Sequence, residues 1–170
     1  MNTDVVPSAN DALHSLVGQL SSFSTDFFSF IVLTVIILLF ALYFGRDRIA
    51  PLIAALYTAL ALYQAFETLP YASMVVGPYM QIGLYLVFAG LLFIAFSGLS
   101  YFMAARSGGF FAEIIMAVLI AGFLLAIAIH ILPVQQIYTF TDATKQLFAS
   151  SQSFFWWLVG PLAGLFFLGR

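Results

Sequence analysis

Along most of this chain the hydrophobic positions do not alternate with polar ones; they run together. Apolar stretches occupy Phe27 to Gly45, Ile49 to Phe66, Pro78 to Ala105 and Phe110 to Leu132. Each is close to or longer than the roughly 20 residues with which a helix spans about 30 Å of hydrocarbon. A barrel strand would alternate apolar and polar side chains over about 10 residues. These runs are apolar on all sides, so they predict helices, and the chain reads as a polytopic membrane protein.

The residues ahead of the first run follow a different pattern. Residues 1 to 26 are mostly polar, yet Leu13, Leu16, Val17, Leu20 and Phe23 recur at spacings of three and four, which puts them on one helical face. Ser8 followed by Asp11 resembles a capping box. This predicts a polar amino-terminal segment with an interfacial helix over 1–26, feeding a transmembrane domain over 27–170. A disordered terminus is the alternative, favoured by Gly18 and the serine run. The segment has no basic n-region, so Phe27 to Gly45 is expected to stay as a span and not to be cleaved as a signal peptide.

The connections set the topology. Only Arg46, Asp47 and Arg48 separate the first two runs, which predicts a tight antiparallel hairpin, and Pro51 falls in the first turn of the second helix, where its missing N–H has no intrahelical partner. Pro70 and Gly77-Pro78 mark a helix end and a restart, with an ordered or dipping loop between them. Arg106 to Gly109 forms another short turn, and a mixed segment follows His130 and Pro133.

The closing stretch, Phe154 to Leu168, is interrupted by Pro161. Extended backward it is uncharged from Leu147 to Gly169, about 34 Å as one helix and enough to cross. The expected fold is an all-α membrane bundle of five transmembrane helices. The alternative is four plus a re-entrant or interfacial carboxyl-terminal segment, because Gly160-Pro161 weakens the middle.

Lys and Arg in short loops stay cytoplasmic. Arg46, Arg48 and Arg106 therefore place the two short turns inside and the amino terminus outside, with Lys145 external. If the last stretch crosses, Arg170 joins the cytoplasmic set, giving four cations inside and one outside, against three and two otherwise.

Composition narrows the function classes. Hydrophobic residues are 64% and charged ones 7%, where a soluble domain carries roughly 25% charged residues to keep its surface wet. The lipid bilayer is the first partner. A net charge of −2 with scattered cations gives no footprint for nucleic acid. The lack of cysteine removes disulfides, thiolate catalysis and thiol-ligated metals.

Within the apolar runs few groups carry chemistry. Glu113 lies in the first turn of the fourth helix, where the helix amino end favours an anion, near the expected level of Arg46, Arg48 and Arg106. This set reads as a charge cluster tying the two turns together, with a proton or ion site as the other reading. Gln64, Glu67, Gln81 and His130 share the opposite level and form a candidate polar pocket, while a lone histidine such as His130 reads first as an interfacial or hydrogen-bonded structural residue. One His and one Glu fall short of a metal set, and no phosphate loop or nucleophile elbow is present. No cofactor is expected, and an enzyme is disfavoured.

Small residues are better represented. Ala50, Ala54, Thr58, Ala61 and Ala65 form a stripe on the second helix, and Gly122 and Ala126 lie in line with His130 on the fourth. Gly160 and Gly164 form a G-x-x-x-G match expected to face another helix, since Pro161 leaves the Trp157 carbonyl without its usual partner. Packing within the chain and a homo-oligomer are both open as uses of these faces.

The plan from Phe27 to about Trp157 resembles the colicin V production protein family (CvpA-like). The resemblance rests on a first span passing through a short basic turn into a second, "YFGRDRIAPLIAAL". It continues with a long third span, a glycine turn and a glycine-containing fourth span, "YFMAARSGGFFAEIIMAVLIAGFLLAIA", and a "FFWW" tail. It implies a bacterial cytoplasmic membrane and a role linked to secretion or envelope maintenance, with no catalytic residues to carry over. The expected function is a non-enzymatic membrane scaffold or accessory protein with membrane-protein partners; the alternative is a small oligomeric transporter or channel.

Overall fold

The computed structural model describes residues 9–98, 110–148 and 150–168. They form six α-helices joined by turns and short 3-10 segments, with no strand among the described residues. The helices are α1 (Ala9–Phe44), α2 (Ile49–Glu67), α3 (Pro78–Gly98), α4 (Phe110–His130), α5 (Asp142–Phe148) and α6 (Ser151–Leu168).

The expected interfacial helix and the first span are one element. α1 runs unbroken for 36 residues, about 54 Å, because nothing between the polar face and Phe27 breaks the backbone; Gly18 alone costs only about 1 kcal/mol in a helix interior. The suggested cap at Ser8 lies outside the described residues. α1 stops at Gly45, whose φ of +90° is the left-handed conformation that glycine supplies after a helix. The basic turn is a single 3-10 turn closed by the Arg48 N–H on the Gly45 carbonyl (3.1 Å), and α2 begins at once. Between α2 and α3 the chain makes a 3-10 turn over Pro70–Met74 and re-enters through Gly77 (φ +97°) and Pro78.

Among the described residues, four helices are long and apolar enough to cross a bilayer: Phe27–Phe44, Ile49–Glu67, Pro78–Gly98 and Phe111–His130. α4 is the central one, since 61% of its window is buried against 11% for the windows of α1 and α3. α1, α5 and α6 pack on α4, while α2 packs mainly on α3. Ala117, Ala121 and Ala126 keep the surface of α4 thin enough for close approach. The outward faces of α1 and α3 carry exposed Ile36, Leu39, Leu86 and Ile94, the composition a lipid-solvated surface requires.

The last apolar stretch departs from expectation. It is not one helix from Leu147 onward: α5, capped at Thr141, ends at Phe148, and a second hydroxyl cap at Ser150 starts α6. Thr141 Oγ1 accepts from the Thr144 N–H (3.4 Å) at the start of α5, and Ser150 Oγ accepts from the Ser153 N–H (3.2 Å) at the start of α6. α6 is therefore 18 residues, about 27 Å, with Pro161 inside it.

Candidate functional site

The polar and small residues singled out above separate into three places. At the end of the molecule holding the basic turn, Arg48 Nη1 donates to the Ser97 carbonyl (3.1 Å) in the last turn of α3, where a cation meets the negative helix end. This bond ties the α1–α2 turn to α3. Glu113 is buried in the first turn of α4. Arg106 and the Arg46 side chain lie outside the described residues.

The middle of the bundle is built around α6. Gly122 lies directly under the Trp157 ring, Gly160 faces Leu119, and Gly164 faces Met116 and Leu119. As α4 is followed from 122 to 119 to 116, α6 advances from 157 to 160 to 164, so the two helices are antiparallel and in register. Trp157 also stacks on Phe148 (centroids 5.1 Å), meets Phe30 of α1 edge-on and donates Nε1–H to the Leu147 carbonyl (3.1 Å). It joins α1, α4, α5 and α6 at one point. Tyr57 of α2 stacks on Phe123 (4.4 Å) and donates its hydroxyl to the Leu158 carbonyl, one residue from the carbonyl that Pro161 orphans. Pro161 is fully buried. The bond ties α2 to α6 beside the proline; its acceptor is the Leu158 carbonyl and not that of Trp157.

Neither Trp157 nor Tyr57 stood out in the sequence as a packing residue. An aromatic in an apolar run gives no sign of which glycine it will cover.

The stripe on α2 does not become its packing face. Ala50 is buried and Ala54 half-buried, but Thr58, Ala61 and Ala65 are exposed. The buried face is Ile49, Ile53, Leu56, Ala59, Leu60 and Tyr63. Thr58 turns its hydroxyl back onto the Ala54 carbonyl (2.8 Å). Ala126 on α4 is completely buried.

At the far end, the expected four-residue pocket forms only in part. Glu67 and Gln81 line one cavity of about 200 Å³ together with Tyr63, Phe66, Val75 and Leu84. Tyr63 lies one turn before Glu67 on the same face of α2 and shares this wall with it. His130 does not line this cavity; its ring stacks on Phe154 of α6 (4.3 Å, 18°), because the end of α4 is paired with α6 and not with α2. Gln64 is exposed. A second cavity of about 440 Å³ lies between α1 and α4, walled by apolar side chains such as Val32, Ile36, Leu125 and Phe140.

No protein-family model, curated protein or solved structure matches this chain.

Proposed function

We propose that the chain is a non-enzymatic scaffold or accessory protein of a bacterial cytoplasmic membrane that serves secretion or envelope maintenance through contacts with other membrane proteins. The observation that carries this reading is where the side-chain donors go. Arg48, Tyr57, Tyr85 and Trp157 each donate to a backbone carbonyl of another element, which fixes helix against helix. The colicin V resemblance supplies the membrane and the process.

The proposed bundle has five crossings. α6 runs beside α4 from Phe154 at His130 to Gly164 at Met116, about 21 Å along α4, and Leu168 lies one further turn on. A helix that accompanies a spanning helix that far favours a crossing over a segment lying in the surface. The distribution of Arg46, Arg48, Arg106 and Arg170 then favours an external amino terminus and a cytoplasmic carboxyl terminus.

The orientation is tested with single cysteines, which the cysteine-free background makes clean. Ser8→Cys, Ser73→Cys and Asp142→Cys are expected to react with an impermeant thiol reagent on intact cells, and Ser107→Cys is not. Asp142 is the site to use on α5 because it is exposed, whereas Thr144 is buried. Labelling confined to Ser107→Cys would invert the arrangement.

The scaffold reading is tested by solubilising cells mildly and reconstituting the purified chain. Specific membrane proteins are expected to copurify, and liposomes carrying the chain are expected to pass protons and small ions no faster than empty ones. A flux abolished by Glu67→Gln would instead make it a transporter or channel.

A further inference from the structure

The cavity between the end of α2 and the start of α3 has a chemistry that interhelical packing does not account for. Glu67 is the last residue of α2, so its carboxylate stands where a spanning helix leaves the hydrocarbon. It faces a space of about 200 Å³. Three side chains able to offer an oxygen acceptor line it: the Glu67 carboxylate, Tyr63 and Gln81. The remaining wall is apolar, from Phe66, Val75 and Leu84. The carboxyl end of α2 and the amino end of α3 carry opposite partial charges here, so Glu67 itself sets the sign of the field.

We propose that this cavity binds a primary ammonium group, carried by a phospholipid headgroup or by a small free amine. A primary ammonium has three N–H donors and no acceptor, which suits one negative charge flanked by the acceptor-bearing side chains of Tyr63 and Gln81. Its short carbon arm lies against the apolar wall. A divalent metal needs more oxygen ligands than one carboxylate with two neutral groups supplies, and a quaternary ammonium has no donor to offer. The level of the cavity, at the end of a span, is that of lipid headgroups. The assignment stands independently of the scaffold reading and of the orientation.

The test uses the full chain purified in mild detergent and equilibrated with phosphatidylethanolamine, phosphatidylcholine or phosphatidylglycerol of identical acyl chains, with bound lipid counted by native mass spectrometry. Phosphatidylethanolamine is expected to bind roughly tenfold or more tightly than the other two, the scale of one charge-assisted hydrogen bond. Glu67→Gln is expected to erase that preference, Tyr63→Phe to reduce it several-fold, and Lys145→Gln, on α5, to leave it intact. Free ethanolamine that competes at millimolar concentration identifies a soluble amine as occupant; failure to compete identifies the lipid. Equal binding of the three lipids, or a preference that survives Glu67→Gln in a chain of unchanged helicity, overturns the site. If Glu67→Gln does not fold, Gln81→Leu on the opposite wall decides, because a preference unchanged in that variant equally overturns it.

Discussion

Gly122→Ala should lower the thermal midpoint and folded yield of the detergent-purified protein, although alanine is the better helix former. In a helix interior the substitution normally gains about 1 kcal/mol. Here the added methyl would fall inside the contact distance of the Trp157 ring, which cannot yield as a flexible side chain does. The indole is held on its other sides by Phe148, Phe30 and the Leu147 carbonyl, so moving it disturbs α1 and α5 as well as α6. Overpacking of this kind costs about 1–3 kcal/mol, and it outweighs the propensity gain. Gly90→Ala is the control, because nothing stands within 4 Å of a Cβ there and α3 is exposed at that point. It should be neutral or slightly stabilising. Equal behaviour of the two variants would mean that α6 does not lie on α4 as described.

Gly164→Leu is expected to be the other severe change. A Cβ at this position would stand 2.7 Å from Met116 Sδ and 2.8 Å from Leu119 Cδ1. Those are the ends of adaptable side chains, so alanine is expected to be absorbed by small rotations, whereas the branched leucine must separate the helices. Loss of that seam removes the close contacts that hold helices together in lipid, where no hydrophobic drive brings them back. Phe167→Leu, two-thirds of a turn or more along on an exposed position, should leave folded yield unchanged. Size-exclusion recovery of both variants, with Arg170 located by a carboxyl-terminal tag assay, checks the packing and the fifth crossing together. Equal tolerance with an external tag would place α6 in the membrane surface.

The candidate site was legible in the sequence to an unequal degree. Glu67 and Gln81 were readable as neighbours because the connection between their helices is short and each sits beside it. Tyr63 was not singled out, yet its spacing of four from Glu67 puts both on one face, and that signal was available. Of its two readings, His130 takes the structural one, for a reason the sequence does not contain. Level along the membrane follows from helix length, but the azimuth follows from which helices are neighbours, and α4 turns His130 toward Phe154. The stripe on α2 is not used within the chain for the same reason: small residues permit close approach without requiring it.

The sequence by itself determined the helical class, the four long apolar helices and the turns between most of them. These depend on local quantities: run length against bilayer thickness, missing Pro N–H groups, and glycines at the positive-φ positions 45 and 77. The break between α5 and α6 was also local, written in Ser150, but an unbroken apolar composition concealed it. What only the tertiary structure decided was the neighbour list: α4 at the centre, α6 antiparallel to it, Trp157 over Gly122, and Tyr57 beside the proline break. In hydrocarbon every face of an apolar helix is equally acceptable to the solvent. The pairing therefore depends on the fit of particular surfaces and on a few hydrogen bonds between residues a hundred positions apart, which hydropathy along the chain does not record.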